Sequence, residues 1–112
     1  MSSLLELRQL QRPGKPDAIG RIVSHFLDET VQRLATMRAA IDTGDAQLLE
    51  QTAHALKGIT GTVGANEMLD VAVRLEEVGR SGRTDGAADL VNELELALGR
   101  ARPIFDQLRG AA

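Results

Sequence analysis

The sequence predicts an all-α domain, an antiparallel four-helix bundle with a short additional N-terminal helix. Four stretches repeat apolar residues at the three- and four-residue spacing of one helix face, and no stretch alternates as a strand does. Short turns containing glycine or proline separate these stretches, and short turns join antiparallel neighbours. Since 112 residues are enough for one hydrophobic core, we expect a single domain over residues 1–112.

The first two predicted helices begin at polar caps. Ser3 and Glu6 have the spacing of a capping box, which predicts a short helix to about Gln11. A longer helix begins at Asp17 and ends at Gly44. Its apolar stripe consists of Ile19, Ile22, Val23, Phe26, Thr30, Leu34, Met37 and Ile41.

Three further helices follow. Asp45 is a good N-cap for the third, which should end between Gly61 and Gly64. The fourth begins near Asn66, and the fifth follows a turn over residues 84–86. The inward residues of these last two helices are Met68, Val71, Ala72, Leu75, Val78, Leu90, Leu94, Ala97, Leu98, Ala101, Phe105 and Leu108.

The composition excludes several classes of protein. A net charge of -3, with two Phe, no Trp and no Tyr, argues against a nucleic-acid partner. The absence of Cys excludes disulfides and thiolate metal sites. No apolar run reaches the length of about 18 residues that membrane insertion needs, and no signal-peptide core is present. We therefore expect a cytoplasmic protein, and we expect a monomer.

The third helix has two faces of opposite chemistry. Its apolar stripe consists of Leu49, Ala53, Leu56, Thr60 and Val63. On the opposite side, His54, Lys57, Gly58 and Gly61 lie within about 60° of one another. The pattern predicts an imidazole in solvent, beside a cation and two residues without side chains.

The two glycines indicate that another protein contacts this face. Gly58 and Gly61 each weaken a helix interior by about 1 kcal/mol relative to Ala. With no Cβ at these positions, another protein can bring its backbone down onto His54. Lys57, one turn along, can offer its ammonium to a phosphoryl group as a compact charge.

A carboxylate on the fourth helix completes the candidate site. An imidazole is a competent nucleophile near neutral pH when a carboxylate holds its N–H and stabilises the cation formed on attack. Glu76 lies at the edge of the apolar stripe, whereas Glu77 points further away. His54 precedes Gly64 by ten residues and Glu76 follows it by twelve, so antiparallel helices bring them to similar heights.

The chain lacks the usual companions of a self-sufficient active site. There is no Gly-rich phosphate loop, no second His at metal-ligand spacing, and no Ser or Cys paired with His54. The sequence thus predicts neither a cofactor nor a metal site. A lone activated histidine should carry a group that another protein delivers.

The runs His54-Ala55-Leu56-Lys57-Gly58, Gly64-Ala65 and Leu75-Glu76 resemble the signature of the histidine-containing phosphotransfer (HPt) domain. These domains belong to the multistep phosphorelays of two-component signalling. The resemblance covers nearly the whole chain and implies a four-helix bundle with an exposed phosphorylated histidine. It also implies that His54 takes a phosphoryl group from the aspartate of one response-regulator receiver domain and passes it to another.

The resemblance assigns further roles residue by residue. Lys57 matches a lysine that supports the phosphoryl group, Gly58 a small residue that clears the approach, and Gly64 a helix-ending glycine. Glu76 falls where the family has a Glu or Gln bonded to the imidazole. Ile59 departs from the pattern, because many members have Ser there.

The partners implied by the resemblance are receiver domains and a hybrid sensor histidine kinase, with Mg²⁺ bound by the receiver. Docking is expected around His54, on a surface that includes Gln47, Glu50, Gln51 and Arg80. Two alternatives remain open. The run over residues 61–64 also resembles the phosphoacceptor domain of chemotaxis-type kinases, which an ATP-binding domain phosphorylates. The other is a helical adaptor that is never phosphorylated.

Overall fold

Four helices make up the part of the chain that the computed structural model describes, residues 18–63 and 65–110, without the side chains of residues 109 and 110. They are α1 (Ala18–Thr43), α2 (Ala46–Val63), α3 (Asn66–Arg80) and α4 (Ala87–Gly110). Each packs against its neighbours in the chain, and α1 also packs against α4, which closes the bundle. The predicted four-helix bundle is confirmed, while the predicted N-terminal helix and Gly64 lie outside the described residues.

The turns form where the sequence predicts them. Gly44 has a φ of 69°, a conformation that residues with a Cβ rarely adopt. Asp45 then caps α2, because its Oδ1 accepts a hydrogen bond of 3.0 Å from the N–H of Leu48. This cap determines where α2 begins.

The core contains most of the residues predicted to face inward. Phe26 and Phe105 are both buried and pack against each other, with ring centroids 4.9 Å apart. Ile22 is an exception, since 40% of it is exposed; Ile19 and Val23 fill the inward positions and leave it at the edge of the stripe. Within the described ranges, no helix is both long and apolar enough to cross a membrane.

Candidate functional site: a histidine, a lysine and a buried carboxylate

The two faces of α2 are arranged as predicted. All five residues of its apolar stripe are buried. On the other face, 67% of the His54 side chain is exposed, and the Lys57 side chain is 34% exposed. The imidazole is therefore anchored on a rigid helix yet open to an approaching molecule.

Glu76 of α3 joins these two side chains. Its Oε2 lies 2.5 Å from His54 Nδ1, and its Oε1 accepts a hydrogen bond of 2.8 Å from Lys57 Nζ. The predicted contact between His54 and Glu76 is thus confirmed in its geometry. Only 5% of the Glu76 side chain is exposed, so it is more buried than a position at the edge of the stripe suggested.

The charge of Glu76 determines which ring nitrogen of His54 carries the proton in the neutral imidazole. Hydrogen bonds from Lys57 and then from His54 hold the pKa of Glu76 below its ordinary value of 4.5, although burial acts in the opposite direction. The carboxylate is ionised near neutral pH and can only accept hydrogen bonds, so His54 Nδ1 must donate. In the neutral imidazole, Nε2 then carries the free lone pair.

The surface above the imidazole is open at both predicted glycines. Gly58 and Gly61 are exposed, and a Cβ built on either would meet nothing within 4 Å. The packing of this chain therefore does not require glycine at these two positions. Ile59 is partly buried against the core and adds no polar group to this face.

The predicted docking residues form two groups. Gln47 and Gln51 are exposed on α2. Arg80 reaches across from α3, where its Nε lies 3.5 Å from Glu50 Oε2 and its Nη2 lies 3.5 Å from Glu76 Oε1. Glu50 and Arg80 are therefore linked to the candidate site through Glu76, which the sequence did not indicate.

Gly79 is a site-shaping residue that the sequence interpretation missed. A Cβ on Gly79 would lie 2.6 Å from the backbone N of Glu50 and 2.8 Å from the carbonyl oxygen of Ala46. Helices α2 and α3 are therefore in backbone contact one turn from both His54 and Glu76. A glycine three residues after Glu76, inside a helix and on its buried side, was the available signal.

Fold and site together define a class of helical protein that presents one carboxylate-bound histidine on an exposed helix face. The chain belongs to the Hpt domain family, whose model matches residues 21–103. The crystal structure of histidine-containing phosphotransfer protein B (HptB) from Pseudomonas aeruginosa PAO1 is similar, with a TM-score of 0.86 and 29% identity. That match covers 97% of this chain and 91% of the other.

Two plant relatives from Arabidopsis thaliana are also similar. Histidine-containing phosphotransfer protein 2 is 27% identical over 94 residues, which are 81% of this chain and 60% of that protein. Histidine-containing phosphotransfer protein 5 is 33% identical over 75 residues, 64% of this chain and 48% of that protein. The chain thus spans about half to three fifths of the length of these relatives.

Proposed function

We propose that this chain is a phosphorelay intermediate, in which His54 accepts a phosphoryl group from the aspartyl phosphate of one receiver domain and passes it to the aspartate of another. One observation carries the proposal. His54 is mostly exposed while its Nδ1 is bonded to a buried, ionised carboxylate, which leaves Nε2 as an outward-facing nucleophile. Membership of the Hpt domain family supports the same reaction.

His54 and Glu76 account for the bonds and charges that change during the transfer. The Nε2 lone pair forms the N–P bond while the P–O bond to the donor aspartate breaks, and its electron pair returns to the donor carboxylate. The ring keeps its Nδ1 proton and becomes cationic, and the Glu76 carboxylate stabilises that charge through the Nδ1–H hydrogen bond. Passing the phosphoryl group to a second aspartate reverses these steps.

Lys57 supports the moving phosphoryl group. Negative charge spreads over the phosphoryl oxygens in the transition state, so catalysis depends mainly on positioning and electrostatic stabilisation. Lys57 lies one turn beyond His54 on the same face and supplies a cation from this side. The second source of positive charge is Mg²⁺, which in this proposal the receiver domain binds and this chain does not.

The proposal also includes the partners and their docking surface. Receiver domains would contact the face of α2 around His54, including Gln47, Glu50 and Gln51, with Arg80 of α3 beside them. The open surface at Gly58 and Gly61 supports this choice of face. One of the receivers would belong to a hybrid sensor histidine kinase. We further propose that the chain acts as a monomer in the cytoplasm.

The decisive experiment measures phosphoryl transfer from a panel of phosphorylated receiver domains to the wild type and to His54→Gln. The label should be acid-labile and base-stable, and it should appear on the wild type alone. Because His54 is exposed, the substitution should leave the free energy of unfolding within about 0.5 kcal/mol of the wild type, which chemical denaturation checks.

Two other outcomes would replace the proposal. Labelling by a chemotaxis-type kinase core with ATP, but by no receiver, would identify the chain as the phosphoacceptor domain of such a kinase. No label in either assay, with receiver binding equal for the wild type and His54→Gln, would identify a helical adaptor.

A further inference from the structure

Glu76 has more cationic partners than a carboxylate that only orients an imidazole requires. Its Oε2 is occupied by His54 Nδ1 at 2.5 Å. Its Oε1 receives Lys57 Nζ at 2.8 Å and also faces Arg80 Nη2 at 3.5 Å. Arg80 is held at the same time by Glu50, with its Nε 3.5 Å from Glu50 Oε2.

Phosphorylation of His54 creates competition for Lys57. A phosphoryl group on Nε2 brings up to about two negative charges to the face that carries Lys57. The ammonium has three N–H donors but carries one charge on one flexible stem, so a movement towards the phosphoryl group lengthens its present contact with Glu76. If Lys57 turns to the phosphoryl group, Oε1 of buried Glu76 loses its hydrogen bond from Lys57, and a buried carboxylate oxygen left without a donor is unfavourable.

We propose that Arg80 is a positioning residue that takes over Oε1 of Glu76 when Lys57 turns to the phosphoryl group on His54. Glu50 holds the Arg80 guanidinium beside the site before and after the exchange. The inference rests on the proposed function, because it concerns the phosphorylated state of His54.

The geometry makes this exchange of partners a small movement. Arg80 lies one turn beyond Glu76 on α3, and it has only to shorten its 3.5 Å contact to the 2.8 Å that Lys57 has now. The planar guanidinium carries five N–H donors, so it can bind Glu76 without releasing Glu50. Glu76 thereby stays ionised and keeps the imidazole oriented for the onward transfer.

The test uses potassium phosphoramidate, which phosphorylates histidine without any partner protein. The Nε2 lone pair attacks phosphorus, and the electron pair of the breaking P–N bond leaves with ammonia. His25, the other of the two histidines, is first replaced by Gln so that only His54 is labelled. The lifetime of phospho-His54 at pH 7.5 is then measured for the parent, Arg80→Gln, Arg80→Lys and Glu50→Gln.

The matched control is Arg74→Gln, which removes one positive charge from the same helix. Arg74 pairs with Glu93 of α4 and with Asp70 of α3, away from the site. We expect Arg80→Gln to shorten the lifetime by about three- to tenfold, and Arg80→Lys to recover part of the loss. Glu50→Gln should shorten the lifetime by a smaller factor than Arg80→Gln, because it loosens the guanidinium that Glu50 holds beside the site, and Arg74→Gln should leave the lifetime unchanged.

A nuclear magnetic resonance measurement separates exchange of partners from a fixed structural role. The Nη protons of Arg80 should exchange more slowly with water after phosphorylation, because Nη2 is the group that closes on Glu76 Oε1, while those of Arg74 should not change. An Arg80→Gln lifetime equal to that of the parent, or Arg80 Nη signals unaffected by phosphorylation, would overturn the inference.

The same preparations distinguish this inference from the proposed function. Phospho-His54 that forms from phosphoramidate and responds to Arg80, but forms from no phosphorylated receiver, would refute the relay role and support the exchange. If His54 accepts phosphoryl groups from receivers but the lifetime of phospho-His54 does not depend on Arg80, the relay role is supported and the exchange is refuted.

Discussion

The interface between α2 and α3 differs from the interfaces that α4 makes, although both contain ion pairs between helices. At the α4 interfaces, Arg38 meets Glu95 at 2.7 Å and Arg100 meets Glu67, with all four side chains substantially exposed. At the α2–α3 interface, Glu76 is almost completely buried and has hydrogen bonds to both His54 and Lys57.

The difference shows how burial gives glutamate a different role at the two kinds of interface. Water and salt screen the exposed pairs, so such pairs contribute little to stability and need no unique geometry. A buried carboxylate cannot rely on water and must be met by donors of fixed direction. The α2–α3 interface is thus suited to orient an imidazole, and the α4 interfaces are suited to solubility and modest stabilisation.

The largest difference between the two kinds of interface is expected on removing Lys57. Lys57→Ala deletes the cation nearest the phosphoryl group, and the loss of one preorganised donor slows such reactions by about a hundredfold or more. Transfer from a phosphorylated receiver, followed by rapid quenching, measures the effect. Arg38→Ala, at the interface between α1 and α4, is the control and should keep the wild-type transfer rate. If Lys57→Ala transferred as fast as Arg38→Ala, Lys57 would have no part in the mechanism.

Closing the gap at Gly79 should weaken the interface itself. Gly79→Ala forces a Cβ against the backbone of Glu50, which no side-chain movement can relieve, and we expect a loss of about 1–3 kcal/mol in the free energy of unfolding. Urea denaturation measures it. Gly99→Ala is the matched control, since its Cβ meets nothing within 4 Å and should stabilise α4 by up to about 1 kcal/mol. If Gly79→Ala stabilised the fold as much as Gly99→Ala, the backbones of α2 and α3 would not be in contact at Gly79.

Neutralising Glu76 should change how stability depends on pH. Because its pKa is lower in the folded chain than its ordinary value of 4.5, ionised Glu76 stabilises the fold above that value, and this contribution is lost as the pH falls below it. The stability difference between the wild type and Glu76→Gln should therefore be constant from pH 7 to about 5 and shrink towards pH 3. Denaturation at each pH measures the difference, and one that does not vary with pH would contradict the assignment. Phosphoryl transfer should slow by a smaller factor than in Lys57→Ala, since Gln can still accept the Nδ1–H hydrogen bond.

The smallest effect is expected at the exposed pairs. Glu95→Gln removes the negative charge that Arg38 pairs with, while Asn92 still accepts a hydrogen bond from Arg38. We expect a loss of at most about 1 kcal/mol in the free energy of unfolding, which diminishes further in 1 M salt. Denaturation at low and high salt measures it, with the phosphoryl-transfer rate unchanged. A larger loss, or one insensitive to salt, would show that this pair resembles the buried site.

The sequence was most informative where one local rule decides the structure. Gly44 and Asp45 end one helix and begin the next through a backbone conformation and a cap that depend only on neighbouring residues. The opposition of His54 to the apolar stripe of α2 follows from helical periodicity alone. Counting residues from the turn was enough to align Glu76 with His54, because antiparallel helices rise at equal rates.

Contacts that depend on the distance between two helices were not predictable in this way. Periodicity indicates which side of α3 faces the core but not how closely α2 approaches, so the backbone contact at Gly79 was missed. The same limitation explains Glu76, which was assigned to the edge of the stripe and is buried. Arg80 is exposed, and its contact with Glu50 was not predictable because it crosses from α3 to α2.

The open position at Gly61 makes the candidate site accessible to optical measurement. The chain contains no cysteine, so Gly61→Cys would carry the only thiol, two turns from His54 on the same exposed face. An environment-sensitive fluorophore attached there would report in real time when another protein covers the imidazole. The same dye on Gly99→Cys, where the added side chain also meets open space, would report whether contact extends to α4.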